Sequence, residues 1–420
     1  MKRLCLLILL TLQVYPVAAE SLRLEDCLQM ARTANPTLRQ AAEAPGIATQ
    51  SVKAAEGGYL PQVNLQGGYT MQKDPQSVIV AGRTEQTQNR QYPFYSLHAE
   101  QLLYDFDRTQ SRVERSRAEQ RATELGYQDL EQNIFLDTVA AYYAVLEGNH
   151  LLTAAKEEVK MRQDHLNISQ AMFDEGVVTR NDVLQAEVEL ANSRLLQLSR
   201  ENQLVNYWLQ LNYLTGRDPK ARGELQEDAG QSPLPPTMDA AKAVAERPGL
   251  QAQKQQVEAA RQDITISRSQ FRPELFLDVG ADYTRNDYVE YQTIYSATIG
   301  LRMNLFDGMA STARLRQSTL KLYQEKKVLR DMQEQAALSY RSAHNDAEVA
   351  RQRIAVTEEA VRQGEENLRI NVNRYQEQTG TATEVIDAQT LLTRTRTQHY
   401  QALFDYQVAL ARLKHAAGHL

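Results

Sequence analysis

Residues 173–187 read Phe-Asp-Glu-Gly-Val-Val-Thr-Arg-Asn-Asp-Val-Leu-Gln-Ala-Glu, and residues 375–389, a shift of 202 positions, read Tyr-Gln-Glu-Gln-Thr-Gly-Thr-Ala-Thr-Glu-Val-Ile-Asp-Ala-Gln. The same shift lays Tyr104-Asp105 over Phe306-Asp307 and the stretch from Leu211 to Gly216 over that from Leu413 to Gly418. Further upstream Asn35-Pro36 meets Arg247-Pro248, and Pro61 meets Pro273, at a shift of 212. The difference places ten extra residues in the first half, between Pro61 and Tyr104. One register held over separated stretches is the signature of an internal duplication.

Proline placement outlines the elements. All 12 prolines lie at or before Pro273, and none falls between Pro93 and Pro219. A proline inside a helix costs about 3 kcal/mol, so two long blocks are free to be helical. In the first, Leu130, Ile134, Thr138, Ala141, Val145, Leu151, Ala155 and Val159 recur at helical spacing. In the second, Met332, Ala336, Tyr340, Ala343, Ala347, Ala350 and Ile354 do the same. The pattern predicts long helices over 109–172 and 311–375, each about 96 Å at 1.5 Å per residue. A helix returning from Gly176 to Thr215 and an N-terminal helix over 37–57 together nearly match that length. Residues 217–237, with Pro233, Pro235 and Pro236, read as a surface connection.

Where the prolines stand, the period changes to two. Val63, Leu65, Gly67, Tyr69 and Met71 alternate with polar or small residues; so do Tyr95, Leu97 and Ala99. Leu275, Leu277, Val279, Ala281 and Tyr283 form a third run, and Tyr295, Ala297, Ile299, Leu301, Met303 and Leu305 a fourth. These are four strands in two hairpins, with polar tips at 73–91 and 285–291. Alternation fits a membrane-spanning strand and a half-buried soluble sheet equally. The setting favours the membrane, because hairpins leading into such long helices have no evident soluble sheet to join.

The first residues carry Lys2-Arg3, an apolar run from Leu4 to Val14, and Val17-Ala18-Ala19, which predicts a secretory signal peptide over 1–19. Cys5 falls inside it, leaving Cys27 alone and no internal disulfide. With 42% hydrophobic and 24% charged residues the chain can bury a core but not build a helical membrane bundle. Lys+Arg 47 against Asp+Glu 53 gives a net charge of -6, which offers nucleic acid no footprint. No nucleotide, hydrolase or zinc-protease motif appears, so the expectation is a protein that is not an enzyme and takes no cofactor and no metal. His415 and His419 are spaced to clamp a metal, but an exposed helix end explains them as well.

The order of signal peptide, helix, β-hairpin and long helical hairpin, occurring twice, together with Phe173-x-x-Gly176-x-x-Thr179-x-x-Asp182-Val183-Leu184-x-Ala186-Glu187, resembles the TolC family of outer-membrane efflux proteins. The likeness covers essentially the whole mature chain, and the duplicated order is its specific part. The resemblance implies an α+β membrane protein, a homotrimer whose twelve-stranded β-barrel in the outer membrane of a Gram-negative bacterium joins a periplasmic α-helical barrel. The first repeat would span 20–216, with a β-hairpin at about 60–104 and a helical hairpin at about 109–215. After a linker at 217–237, the second would span 238–420, with corresponding hairpins at about 272–305 and 311–417.

The implied function is the exit duct of a tripartite efflux or type I secretion system, fed by a periplasmic adaptor and an inner-membrane pump. By position, the adaptor-contacting tips are Gly176, Val177, Val178 and Thr179 in one half and Thr379, Gly380 and Thr381 in the other. The entrance carboxylates are Glu384 and Asp387, with Asp182 in the first half. Glu384 and Asp387 stand three apart and share a helix face, so three copies would concentrate negative charge; a solvated face has the same spacing. The pattern departs at the second tip, where Gln378 replaces the glycine of position 176 and the glycine moves to Gly380. The competing class is a periplasmic coiled-coil adaptor or scaffold, which has no need of four alternating strands.

Overall fold

The computed structural model describes residues 21–227 and 233–420. The expected signal peptide, and residues 228–232 of the expected linker, lie outside the described residues. The chain forms two compact units, Gln40–Leu130 with Ala240–Leu338, and residues 21–39 with 131–227, 233–239 and Ser339–Leu420. Each unit draws on both sequence repeats.

In chain order the elements are α1 (Leu24–Ala34), α2 (Pro36–Ala41), α3 (Glu43–Glu56), β1 (Gln62–Met71), β2 (Ser77–Val80), β3 (Arg83–Gln86), β4 (Gln91–Tyr104), α4 (Arg108–Asp174) and α5 (Arg180–Thr215). After the linker come α6 (Ala240–Ala243), α7 (Pro248–Ser269), β5 (Glu274–Thr284), β6 (Thr293–Arg302), α8 (Ala310–Gln376) and α9 (Ala382–Ala416). Helices α4 and α8 have 67 residues each, about 100 Å at 1.5 Å per residue. Among the described residues no helix is long and apolar enough to cross a membrane.

In the unit built from 40–130 and 240–338, four antiparallel strands form one sheet in the order β1-β4-β5-β6. The register aligns Leu65 with Leu97, Leu97 with Ala281 and Ala281 with Tyr295. Because side chains alternate along a strand, this pairing gathers most apolar residues of the four strands on one face, with Phe94, Phe276 and Ile294 on the other. The apolar face is bare: Leu65 is 76%, Ile299 71% and Tyr295 81% exposed. The opposite face is mainly polar. His98 on β4 reaches Asp278 at 2.9 Å and Asp282 at 3.2 Å on β5, and Arg302 reaches Glu100 and Glu274.

The ten extra residues of the first half find their place here. They form a separate ribbon, β2 and β3, closed by Ala81 (φ 51°) and Gly82 (φ 79°), the left-handed pair that a tight two-residue hairpin demands. The sequence predicts only a polar tip here, because the short β2 and β3 runs are too brief to show a period of two. The other tip is tied to it: the Asn286 amide donates to the Thr87 carbonyl at 2.9 Å, and Asn89 donates to Asp287 at 2.9 Å.

Both strands that lead into long helices end on one device. Asp105 accepts from the Thr109 backbone and hydroxyl at 2.8 and 2.7 Å, and Asp307 accepts from those of Ser311 at 2.8 and 2.6 Å. The predicted helix over 37–57 is broken into α2 and α3 at Ala42. Pro45 has no N–H to donate to the carbonyl of Ala41, so the helix cannot run through that turn.

In the other unit the expected stripes are buried apart from Val159, which is half-buried beside the buried Glu158. Thr138, Val145 and Ala347 are 0% exposed, and Ile134, Ala141, Tyr340, Ala350 and Ile354 are all below a tenth. Ala141 and Val145 cluster with Trp208, Leu211 and Leu214 of α5, and Ala347, Ala350 and Ile354 with Tyr406, Ala409 and Leu410 of α9. The linker is not merely a surface connection. Leu225 is buried, Leu22 and residues 224–226 exchange backbone hydrogen bonds of 2.8 and 2.9 Å, and the Tyr142 hydroxyl donates to the Gln226 carbonyl at 2.5 Å. Helix α1, absent from the sequence reading, supplies Cys27 to the same core.

Candidate functional site at the hairpin tips

The two tips are superimposable in hydrogen bonding. At the first, Gly176 takes φ 73°, its N–H donates to the Phe173 carbonyl at 2.9 Å, and the Val177 N–H donates to Met172 at 2.8 Å. At the second, Gln378 takes φ 59°, its N–H donates to Tyr375 at 3.1 Å, and the Thr379 N–H donates to Arg374 at 2.8 Å. This is the Schellman closure of a helix end. The reading that glycine moves to Gly380 is therefore corrected: the left-handed position stays at 378, filled by glutamine. Gly380 instead makes a close approach, its N–H donating to Arg374 at 3.0 Å.

The returning helices start alike as well. Thr179 N-caps α5, and its N–H and hydroxyl both donate to Asp182 Oδ2 at 2.8 Å. Thr381 N-caps α9, donating its N–H to Glu384 Oε2 at 3.0 Å and accepting from the Glu384 N–H at 3.3 Å. Two of the three expected entrance carboxylates are thus capping-box partners. Arg374 stands 3.7 Å from Glu384 as well. Asp387, one turn further along α9, is exposed. Val177 is exposed too, whereas Val183, Ala186, Val385 and Ile386 anchor the helices inward.

Behind the tips lies a feature that the sequence reading missed. The buried stripe of α4 continues at helical spacing but turns polar: Glu158 is 8%, Arg162 2%, His165 4% and Ser169 0% exposed. Arg162 crosses to α9, donating to Gln389 Oε1 at 3.0 Å and to the Thr390 hydroxyl at 2.9 Å, with Glu158 at 3.5 Å. Burial, and then the Arg162 charge, hold the His165 imidazole below its ordinary pKa. The three- and four-residue spacing was present to be read, but a search for apolar repeats passes over it. His415, the metal candidate's first half, instead lies 2.8 Å from Asn133.

The model of the outer membrane efflux protein family matches residues 27–217 and 240–419. The chain belongs to that family. Across 438 aligned positions it is 24% identical to the outer membrane protein TolC of Escherichia coli, covering 100% of this chain and 87% of that one. It is 23% identical to the outer membrane efflux protein BepC of Brucella suis, over 96% of this chain and 87% of the relative. The fold matches a crystal structure of CusC with a TM-score of 0.84 at 18% identity, over 97% of this chain and 95% of that one. The family places the chain in the outer membrane and in efflux.

Proposed function

We propose that this chain is the outer-membrane exit duct of a tripartite efflux or type I secretion system, a passive conduit to the exterior. The observation that carries the reading is the sheet, with its continuous exposed apolar face and two edges, β1 and β6, that have no strand partner among the described residues. In hydrocarbon each unpaired backbone group costs several kcal/mol, so other copies must supply the missing strands. Two copies would close about eight strands, an interior that side chains fill. Three close twelve and leave a lumen, lined by the polar face of His98, Asp278, Asp282 and Glu100. A coiled-coil adaptor or scaffold would leave the apolar face without a partner.

In this reading the protein is a homotrimer. Gly176 to Thr179 and Thr379 to Thr381 meet a periplasmic adaptor, which links the duct to an inner-membrane pump. Asp387, with Glu384 and Asp182, lines the entrance and favours cations. Chemical crosslinking in native outer membranes is the test: a ladder ending at three copies is expected. A membrane-inserted monomer that needs no partner strands would defeat the proposal.

A further inference from the structure

Where α4 and α8 begin, the sheet ends in a row that faces the same way as its bare apolar residues. Tyr104 pairs with Leu275, and Leu275 with Leu301, so Tyr104 closes the apolar face at its periplasmic end. Next to it Phe106 sets its ring against that of Tyr104, centroids 4.8 Å apart, and the Arg272 guanidinium lies 5.1 Å from the Phe106 centroid. Tyr104 and Arg272 are exposed. Phe106 holds this place from the left-handed region, at φ 54°, where the matching position of the second repeat is Gly308 at φ 68°. Glycine takes that region freely, so the turn needs no side chain there; what phenylalanine adds is a ring under the arginine.

A second arginine at this level shows what Arg272 lacks. On the polar face Arg302 lies 4.5 Å from the centroid of Phe276 and reaches Glu100 and Glu274 at 3.3 and 3.1 Å. Arg272 has no ion pair or side-chain hydrogen bond among the described residues, and neither has the exposed Arg268 one turn back. The acids nearby are engaged elsewhere: Glu274 with Arg108 and Arg302, and Asp105 with the start of α4. Depth supplies the missing partner. From Tyr95, whose ring stacks on Tyr283, to Tyr104 is nine residues of β4, about 30 Å of strand. At a tilt of ~40° that is about 23 Å of height, close to the apolar band of a membrane barrel between its two aromatic girdles. Arg272 therefore stands among the lipid headgroups. Because β4 and β5 are the inner strands of the sheet, a neighbouring copy joining at β1 or β6 leaves it open. We infer that Tyr104, Phe106 and Arg272 dock the phosphate of an anionic phospholipid of the periplasmic leaflet, the guanidinium taking two phosphate oxygens and the rings lying along the upper acyl chains. An anionic lipid is preferred to a zwitterionic one because it brings no cation to face Arg272. The site rests on the reading of the sheet as a membrane barrel, whatever the duct conducts.

The test is native mass spectrometry of the full-length protein, delipidated in detergent and offered dioleoyl phosphatidylglycerol or dioleoyl phosphatidylcholine. The parent should retain phosphatidylglycerol in preference. Arg272→Gln should cut that preference about fivefold, and Arg272→Lys should keep most of it. Phe106→Gly, which relaxes the backbone and removes the ring, should cut it about twofold while the protein stays folded. Arg302→Gln, on the polar face, should leave it unchanged. Among variants that keep the parent's circular dichroism, a preference that survives Arg272→Gln, or that Arg302→Gln removes equally, overturns the site. So does equal retention of the two lipids by the parent. A parent that does not insert into liposomes of either lipid strikes the barrel reading, and the site with it.

Discussion

The two hairpin tips reach one backbone geometry with unlike residues. Gly176 adopts the left-handed region freely, while Gln378 holds the same φ range with a Cβ, at a cost of about 1–2 kcal/mol. What they share is the network: two N–H groups returned to the preceding helix, then a threonine cap with an acid three positions on. The turn is therefore specified by its hydrogen bonds, and glycine is one economical way to meet them. The tips differ in charge. Arg374 faces Glu384, whereas the matching position beside Asp182 is Met172.

The comparison breaks most visibly at position 176. Gly176→Ile puts a β-branched residue in the left-handed region and should weaken the first tip by about 2 kcal/mol, read as faster hydrogen exchange at the Val177 amide. If exchange there is unchanged, the left-handed residue does not matter to the turn. Thr179→Ala and Thr381→Ala should each cost about 1 kcal/mol of local stability, visible as protease nicking at the respective tip. Unequal losses would show that the two caps are not equivalent. Gln378→Gly should gain up to about 1 kcal/mol by relieving the strain, slowing exchange at Thr379; faster exchange would mean that the glutamine side chain holds the turn.

Acid acts on the tips through one residue. His165 on α4 has Asn367 as its counterpart on α8, and only the histidine titrates. Its folded pKa lies below the ordinary value, so its contribution is present above about pH 6.5 and lost as the pH falls below that. Both tips should become more protease-sensitive between about pH 7 and pH 5, because His165 packs against Tyr375, three residues before Gln378, and loosening that persists in His165→Asn would point to a different group. The smallest expected effect concerns the entrance: Asp387→Asn should lower cation preference more than Glu384→Gln, whose carboxylate is already tied to the Thr381 N–H and faced by Arg374. Reversal potentials from single channels give the order, and the opposite ranking would place Glu384 rather than Asp387 at the constriction.

Much of this was legible. Proline exclusion marked both long helices, alternation marked the four strands, and the 202-residue register laid Gly176 over Gln378 and Gly216 over Gly418, both left-handed pairs in the structure. The missing parts are those where tertiary contacts decide. Leu225 lies in a polar, proline-bearing segment and is buried where Leu22 and the Tyr142 hydroxyl hold the backbone of its neighbours Glu224 and Gln226. Glu158, Arg162, His165 and Ser169 continue the α4 stripe, but hydrophobic periodicity discards charged residues even where partners across the interface bury them. At the tips, the Thr-x-x-acid spacing was in plain view; reading Glu384 as one face of a charged ring passed over its simpler work as a helix cap.

The open edges at β1 and β6 also bear on genetics. In the proposed threefold ring, every copy must pair with two neighbours, so one chain that cannot offer a proper edge spoils the barrel for the other two. A cell expressing equal amounts of sound and edge-defective protein would make about one fully sound ring in eight if copies mix at random. Lesions in β1 or β6 should therefore be dominant, whereas lesions confined to the surface of the β2–β3 ribbon, which closes on itself, should be recessive.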